Sequence, residues 1–302
     1  MPKKSGASSA SPRPPFELQI RGACLCLGRE TKIMGVLNVT PDSFSDGGIF
    51  KEPAQAEKQA LRMQDEGAHL IDIGGESSRP GGAPISVKEE IRRVRPVLKR
   101  LSRKIKIPLS IDTYKYEVAW AALDEGVSLV NDIYALNADK RLAKLIARYK
   151  AGVVLMHMRG TPETMQKNLA YSDLVAEVSV FLKRAAVKAV EAGISPRNIL
   201  LDPGFGFGKS VAQNCELLAR LDSFKKLGFP LLTGLSRKSF IGSLLEAPAP
   251  DRLYGSLGAA AAAVERGAHV LRVHDVLAHR QLCAALDRVI NEQTERKNCD
   301  ES

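Results

Sequence analysis

The residues best suited to chemistry are spread along the chain, and each lies in or near the end of a short apolar run. Asp112 and Asp202 supply carboxylates and Asn131 supplies an amide, groups that suit a heterocycle rich in N–H donors. A second set is cationic or can become so, which suits a phosphate or pyrophosphate. Its members are Arg79, Lys238, Arg272 and His274. The two sets predict a site that holds both a polar ring system and a polyanion.

Residues 33–48, with the sequence IMGVLNVTPDSFSDGG, combine a strand with a long polar loop. Ile33–Leu37 has the length and composition of a buried strand, and the chain turns polar at Asn38. An ordinary surface turn is the alternative, but it does not explain the aromatic residue Phe44 in a polar loop. A loop that closes over a flat ligand would explain it.

The glycine-rich segment Gly204–Ser210 looks at first like a phosphate-binding loop. It lacks the required spacing, because Pro203 stands where that motif needs glycine. We therefore interpret these glycines as positions where the backbone approaches a flat ligand closely.

Of the five histidines, only His274 is expected at a place where chemistry occurs. His157 has apolar neighbours and is predicted to be structural. His69 and His269 stand at strand starts, which predicts a role in stability, and His279 is predicted to lie on a helix surface.

Alternating strands and helices must position these residues. Eight strand–helix units follow one another over about 260 residues, and several helices end in glycine just before the next strand. The predicted strands are Ile33–Leu37, Leu70–Ile73, Pro108–Ile111, Leu129–Ile133, Val153–Met156, Ile199–Leu201, Pro230–Leu235 and His269–Val273. This pattern predicts an α/β protein with a closed (β/α)8 TIM barrel, and a doubly wound open sheet is the alternative.

The pattern divides the chain into one domain and two tails. Residues 16–294 form the predicted barrel domain, which begins with a short β-hairpin within Phe16–Glu30. Residues 1–15 are rich in Ser, Ala and Pro without an apolar core, so we expect a disordered tail and not a secretory signal. Residues 295–302 are predicted to be a C-terminal tail. Every predicted strand ends in a polar or charged residue, and in a barrel these ends share one mouth.

Composition excludes several classes of protein. Of the 302 residues 44% are apolar, but no apolar run approaches the roughly 20 residues of a membrane helix, so we expect no membrane partner. The net charge is +10, yet basic and acidic residues are interleaved and aromatic residues are few, so we expect no nucleic-acid partner. The five cysteines are scattered without metal-binding spacing, which favours a reduced, cytoplasmic location.

Together these motifs resemble the dihydropteroate synthase family. The matching segments appear in order and cover the chain from Ile33 onward. They are residues 33–48 (IMGVLNVTPDSFSDGG), 71–81 (IDIGGESSRPG), 110–113 (SIDT), 130–133 (VNDI), 156–166 (MHMRGTPETMQ), 201–209 (LDPGFGFGK), 236–242 (SRKSFIG) and 272–276 (RVHDV). The resemblance implies a transferase of folate biosynthesis that condenses 6-hydroxymethyl-7,8-dihydropterin pyrophosphate with p-aminobenzoate to give 7,8-dihydropteroate and pyrophosphate.

The resemblance also implies a role for individual residues. The pterin would be bound by Asp112, Asn131, Met156, Asp202 and Lys238, the pyrophosphate by Asn38, Ser78, Arg272 and His274, and p-aminobenzoate by Phe44, Arg79, Pro80, Phe207, Ser236 and Lys238. Mg2+ is implied as the cofactor, with Asn38 as its ligand, and a homodimer is implied as the assembly.

This reaction needs no nucleophilic side chain. It breaks a C–O bond at a methylene conjugated to the pterin ring, so positive charge can develop there. We therefore expect catalysis by stabilisation of the leaving group and by positioning of the arylamine. The predicted catalytic residues are Lys238, Arg272, His274 and Asp46, the last of which would stabilise the cationic pterin when the first loop closes.

One position departs from the family pattern. Ser78 stands where the family more often has threonine, so the hydroxyl is kept and a methyl group is lost. No insertion is visible beside Phe207 or Ser236 that would exclude sulfonamides, and we expect a sulfonamide-sensitive enzyme.

Three other functions remain as alternatives. A methyltransferase barrel of the methyltetrahydrofolate–corrinoid type would share the Asp and Asn set, but it would not need the cations Arg79, Lys238 and Arg272. A basic nucleic-acid-binding barrel would show salt-dependent retention on DNA. A pterin-binding barrel without activity is the third alternative, and the filled motif positions argue against it.

Overall fold

A hairpin closes the bottom of the molecule. In the computed structural model, which describes residues 13–40, 48–79 and 81–300 but not the side chains of 48–52 and 293–300, strands β1 (Phe16–Ile20) and β2 (Ala23–Leu27) pair antiparallel. Leu18 and Ile20 pack in one apolar cluster with residues from the starts of the barrel strands, such as Met34. The predicted N-terminal hairpin is therefore confirmed, and it covers the end of the barrel opposite to the mouth.

Eight parallel strands form the barrel. In spatial order they run β8-β7-β6-β5-β4-β3-β10-β9, and a single bridge between Leu201 and Leu231 joins the two ends of this series. The strands are β3 (Lys32–Asn38), β4 (Leu70–Gly74), β5 (Leu109–Asp112), β6 (Leu129–Asp132), β7 (Gly152–Met156), β8 (Ile199–Asp202), β9 (Leu232–Thr233) and β10 (Val270–Val273). The predicted TIM barrel is confirmed, and the open sheet is not formed.

Helices surround the barrel and follow its strands. In the described ranges they are α1 (Gly48–Asp65), α2 (Val87–Lys104), α3 (Tyr116–Asp124), α4 (Lys140–Tyr149), α5 (Leu174–Glu191), α6 (Val211–Ala219), α7 (Ser239–Leu245), α8 (Leu253–Glu265) and α9 (Val276–Asp300). Ser86 caps the start of α2, because its hydroxyl accepts the N–H of Glu89 at 3.2 Å. Within the described ranges no helix is both long and apolar enough to cross a membrane.

Described structure extends into both predicted tails. Arg13, assigned to a disordered tail, is buried and forms an ion pair with Asp287, while the Pro14 carbonyl lies 3.1 Å from His269 Nε2. Residues 1–12 lie outside the described residues. At the other end, α9 continues to Asp300 and so extends through most of the predicted C-terminal tail.

The register of the sheet brings the predicted site residues to one level. Asn38 pairs with Gly74, Gly74 with Asp112, and Asp112 with Asn131. Paired residues of parallel strands point to the same side of the sheet. Side chains from three strands therefore meet at the carboxyl-terminal mouth, and glycine at the fourth position leaves space between them.

Candidate active site

A network of charged hydrogen bonds forms the floor of the mouth. Arg272 donates from Nε to Asp72 at 2.6 Å and from Nη2 to Asp112 at 2.7 Å. Asp72 also accepts from Asn131 Nδ2 at 3.0 Å and from the Ser110 hydroxyl at 2.6 Å. Two predicted ligand-binding residues, Asn131 and Arg272, are thus joined through one fully buried carboxylate, and Arg272 connects Asp112 to them.

Asp72 is a residue that the sequence analysis missed. It lies in the quoted segment 71–81, but no role was assigned to it. The signal was present, since Asp72 is the one charged residue of the buried strand Leu70–Gly74. A buried charge needs partners, and here two of the partners, Asn131 and Arg272, are predicted ligand-binding residues.

Asp112 has an unusual proton affinity. The pKa of its carboxyl group is raised to about 7. Burial is the largest cause, the Arg272 guanidinium opposes the rise, and the nearby Asp72 charge contributes to it. Near neutral pH the group can therefore accept a hydrogen bond as a carboxylate or donate one as an acid.

Asp202 is positioned by the turn that follows β8. Its Oδ1 accepts the N–H of Gly204 at 2.7 Å, and burial raises the pKa of its carboxyl group. Gly204 has φ +73°, and a Cβ there would lie 1.8 Å from the carbonyl oxygen of His157. Only glycine fits this position. The sequence predicted that the backbone approaches a flat ligand here, whereas the close approach at Gly204 is to the loop after β7.

Lys238 faces the same mouth from the loop after β9. Its ammonium lies 4.2 Å from the centre of the Phe207 ring, a cation–π contact. Burial and the Arg272 charge lower the pKa of Lys238 to about 8, and the charge of Arg79 contributes to this fall. Arg79 is exposed, yet it is close enough to act electrostatically on Lys238.

His274 contacts Ser236, its neighbour across the mouth. The backbone N–H of His274 donates to Ser236 Oγ at 3.2 Å, and its Nδ1 lies 3.1 Å from the same oxygen. Burial lowers the pKa of His274 to about 3, and the Arg272 charge adds to the effect. The imidazole is therefore neutral at pH 7 before an anion binds, and it does not belong to the standing cationic set.

An apolar wall lines one side of the mouth. Met156 and Phe207, both predicted site residues, belong to a small cluster separate from the main core. The other members are Ile133, Met158 and Met165, with Tyr114 and Tyr134 packed against them. Methionine and aromatic side chains suit the faces of a flat ring.

Lys209 is a second residue that the sequence analysis did not place in the site. Its buried ammonium donates to the carbonyl oxygens of Gly204 at 2.8 Å and Phe207 at 3.1 Å, and lies 3.0 Å from His157 Nδ1. Burial lowers the pKa of Lys209 to about 7 and that of His157 to about 2. His157 is therefore structural, as predicted, and helps to hold the loop that presents Asp202 and Phe207.

Two other histidines occupy the strand starts, as predicted. His69 Nδ1 accepts the N–H of Ile33 at 3.1 Å, and His269 Nδ1 accepts the N–H of Leu231 at 3.1 Å. The prediction for His279 was wrong, because this residue is fully buried. The amphipathic pattern of α9 did not reveal that this turn faces the barrel.

Of the remaining predicted residues, two are described by the structure and three are not. Phe44, Asp46 and Pro80 lie outside the described residues. Asn38 and Ser78 are half-buried at the ends of their strand and loop. Asn38 Oδ1 points toward Gly74, since a Cβ on that glycine would lie 3.5 Å from it and 3.8 Å from Asp112 Cβ.

Comparison with known proteins gives a consistent result. The protein family described as pterin binding enzymes matches residues 34–274 of this chain. A dihydropteroate synthase from Synechocystis sp. is 46% identical over 261 residues, which cover 86% of this chain and 90% of the relative. The chain belongs to the dihydropteroate synthase family. The predicted family and enzyme class are therefore confirmed.

Solved structures of the dihydropteroate synthase family share this fold. A Yersinia pestis dihydropteroate synthase in complex with a sulfonamide drug superimposes with a TM-score of 0.85 at 42% identity, covering 91% of this chain and 99% of that one. A Xanthomonas albilineans dihydropteroate synthase in complex with 7,8-dihydropteroate gives a TM-score of 0.81 at 42% identity, covering 90% of this chain and 98% of that one.

Proposed function

We propose that this protein condenses 6-hydroxymethyl-7,8-dihydropterin pyrophosphate with p-aminobenzoate at the barrel mouth. The observation that supports the proposal is that hydrogen-bond acceptors and cationic side chains lie side by side at the carboxyl-terminal mouth of the barrel. Asp112, Asn131 and Asp202 are buried or half-buried beside Arg272 and Lys238. The related enzyme from Xanthomonas albilineans binds the dihydropteroate product.

The pterin is the ligand that the acceptor set fits. Its aminopyrimidinone edge carries adjacent N–H donors, and the Asp202 carboxylate can accept two of them in a charge-assisted pair. Asn131 and Asp112 lie side by side on neighbouring strands and can bind further ring positions. The wall formed by Met156 and its neighbours packs against the ring face.

The pyrophosphate group would lie on the other side of the floor, against Asn38, Ser78, Arg272 and His274. Arg272 uses Nε and Nη2 for Asp72 and Asp112, so among the described residues Nη1 is left for an anion. His274, neutral in the free protein, would gain a proton as the negative charge of the leaving group raises its pKa.

Magnesium is proposed as the metal, with Asn38 as its protein ligand. Among the described residues no three His, Cys, Asp or Glu side chains are grouped to hold a metal ion. Mg2+ often keeps several waters and binds through substrate phosphates and one or two protein oxygens, so the amide oxygen of Asn38 beside the pyrophosphate fits it. When bound, the ion would neutralise charge on the leaving group.

p-Aminobenzoate would lie above the pterin, between the Phe207 ring and the second loop. Lys238 stacks on Phe207 and can contact the pterin. Ser236, Arg79 and Pro80 would border the aminobenzoate. Phe44 and Asp46 would cover the site from the first loop. The amine then lies near the pterin methylene, where proximity accounts for a large share of the rate.

The chemical step exchanges one bond at that methylene. The bond from the methylene carbon to the pyrophosphate oxygen breaks, and its electron pair leaves with pyrophosphate. The nitrogen lone pair of the amine forms the new C–N bond, and the proton lost from nitrogen passes to water or to the departing phosphate. Arg272 and Lys238 supply fixed positive charge as these negative oxygens develop.

Pyrophosphate release with both substrates tests this function. We expect release only when p-aminobenzoate and Mg2+ are both present. Release that does not depend on p-aminobenzoate would show that the protein is not a synthase. Chelation of Mg2+ without loss of rate would remove the metal from the proposal.

Sulfonamide sensitivity is part of the same proposal. A sulfonamide imitates p-aminobenzoate, and the described residues show no insertion that narrows the space beside Phe207 or Ser236. We expect inhibition that p-aminobenzoate relieves competitively. Full activity at high drug concentration would contradict this expectation.

A homodimer in the cytoplasm is also proposed. Leu244, Leu245 and Tyr254 form an exposed apolar group on α7 and α8, and Tyr254 is 82% exposed. Light scattering of Tyr254→Arg should show monomers if this face joins two subunits. The described cysteines, among them Cys24 and Cys283, are unpaired, which suits a reducing compartment.

A further inference from the structure

In the loop between β4 and α2, which we name the second loop, residues 76–79 and 81–85 are described and are held compactly. This loop carries Ser78 and Arg79, which the proposed function places against substrate. At its tip Gly82 donates to the carbonyl oxygen of Arg79 at 2.9 Å, and a Cβ on Gly82 would lie 2.5 Å from the carbonyl oxygen of Ser77. Gly81 donates to the carbonyl oxygen of Pro162 at 3.1 Å. The tip is therefore folded on itself and has one contact with the loop after β7.

One lysine from the next strand–helix unit joins both ends of this loop. Lys115 follows β5 and donates from Nζ to Glu76 Oε2 at 2.6 Å, at the start of the loop. The same ammonium donates to the Ile85 carbonyl oxygen at 2.8 Å, at the end of the loop. Its third bond, also 2.6 Å, goes to Glu90 Oε2 on α2. All three donors of the ammonium are thus used.

Glu76 completes the junction, which we name the Lys115 clasp (Glu76, Ile85, Glu90 and Lys115). Its Oε2 accepts the N–H of Ile85 at 2.8 Å, and its Oε1 accepts the Tyr114 hydroxyl at 3.0 Å. The exposed side-chain fractions are 10% for Lys115, 12% for Glu76 and 1% for Glu90. Such dry charge-assisted bonds hold their groups firmly.

The clasp lies beside the floor and not in it. Among the described residues, Lys115 forms no hydrogen bond or ion pair with Asp112, Asn131 or Asp202. Its bonds go only to the ends of the second loop and to α2. Glu90 acts on the floor through its charge, which raises the pKa of Asp112. Loss of the Lys115 bonds alone should therefore affect mainly what the loop binds.

We propose that Lys115 is a positioning residue that fixes the base of the second loop and thereby sets the affinity for p-aminobenzoate. The inference rests on the proposed function, because it takes Arg79 as a contact of that substrate. A lysine that only stabilises the fold is the competing interpretation, and it predicts a lower melting temperature with unchanged Michaelis constants.

The test compares Lys115→Met with Glu90→Gln in the full chain. Both variants weaken the buried charge pair, but only Lys115→Met cuts the bonds to Glu76 and Ile85. For Lys115→Met we expect the KM for p-aminobenzoate to rise about tenfold. Calorimetric binding of 6-hydroxymethyl-7,8-dihydropterin, which lacks the pyrophosphate that Ser78 would contact, should change by less than about twofold. Glu90→Gln should lower Tm and leave this KM within about twofold. Lys115→Arg should restore most of the affinity.

Three results would overturn the inference. An unchanged KM in Lys115→Met, an equal rise in Glu90→Gln, or a matching loss of pterin binding would each reduce Lys115 to a fold-stabilising residue. If Lys115→Met does not fold, Lys115→Met combined with Glu90→Met removes one buried carboxylate, and the same KM shift is expected. A wild-type protein without p-aminobenzoate-dependent pyrophosphate release defeats the proposed function itself, whereas an active wild type with an insensitive KM defeats only the role of Lys115.

Discussion

The floor of the mouth and the second loop are held in different ways. On the floor, Asp72, Asp112, Asn131 and Arg272 bond directly to one another from four strands. In the second loop, Ser78 is half-buried and Arg79 is exposed. Hydrogen bonds hold the described part of this loop at its base and at its tip. The floor is thus preorganised for the ligand that binds it, and the loop can adjust to the second substrate.

This difference suggests a division of labour between the two substrates. A floor that is already assembled can bind the pterin pyrophosphate before p-aminobenzoate arrives. The loops then supply the remaining contacts. Substitutions on the floor should therefore affect both substrates. Substitutions in the loop between β4 and α2 should affect mainly p-aminobenzoate, except at Ser78, which the proposed function places against the pyrophosphate.

Lys238→Met should have the largest effect. Lys238 lies between floor and loops, with its charge beside Arg272 and its ammonium on the Phe207 ring. We expect kcat/KM to fall about a thousandfold in a pyrophosphate-release assay, because a fixed charge at the reacting centre is lost. Lys144→Met, an exposed position on α4, is the matched control. A loss below about tenfold would place Lys238 outside the reacting centre.

Asp72→Asn should have the next largest effect, although Asp72 is proposed to touch no substrate. Removing this charge leaves Arg272 with only Asp112 as a carboxylate partner, and we expect about 3 kcal/mol lower stability by chemical denaturation. The pKa of Asp112 should fall as well, since the Asp72 charge raises it in the wild type. Unchanged stability would show that the floor network is not what holds these groups.

The dependence of kcat/KM on pH should show an acid limb set by Asp112 and an alkaline limb set by Lys238. As pH falls below about 7, Asp112 gains a proton, and as pH rises above about 8, Lys238 loses one. We therefore expect kcat/KM for the pterin substrate to be highest between these values and to fall on both sides. In Asp72→Asn the acid limb should move to lower pH while the alkaline limb stays. A flat profile from pH 6 to 9 would contradict the assignment.

Ser78→Thr should have the smallest effect. It restores the residue that the family more often carries and adds one methyl group to the half-buried second loop. We expect KM values within about twofold of the wild type, since the hydroxyl is retained. Ser78→Ala, which removes the hydroxyl, should raise the KM for the pterin pyrophosphate more. Equal kinetics for the alanine and threonine variants would remove Ser78 from the pyrophosphate site.

The strand ends were predictable because each one changes abruptly from apolar to polar residues. This pattern located Asp112, Asn131, Asp202 and Arg272 at one mouth before any distance was known. Their mutual bonds were not predictable, because barrel closure sets which rotamers meet. Asp72 was missed for that reason, as its partner Arg272 lies 200 positions further along the chain.

Residues outside the motifs were harder to predict. His279 looked like a surface residue of α9, and only the packing of that helix against the barrel shows that it is buried. The Lys115 clasp depends on a lysine and two glutamates from two loops and α2, a combination that no local spacing reveals. The family resemblance supplied roles for substrate contacts, but not for the residues that hold those contacts in place.

Binding of the pterin pyrophosphate in the absence of p-aminobenzoate tests the central claim most directly. Calorimetry should compare the wild type with Asp202→Asn and with Asp173→Asn, a control at the exposed start of α5. If the floor alone holds the pterin, Asp202→Asn should lose at least about a hundredfold in affinity while the control keeps wild-type affinity. Equal affinity in the wild type and Asp202→Asn would contradict the account.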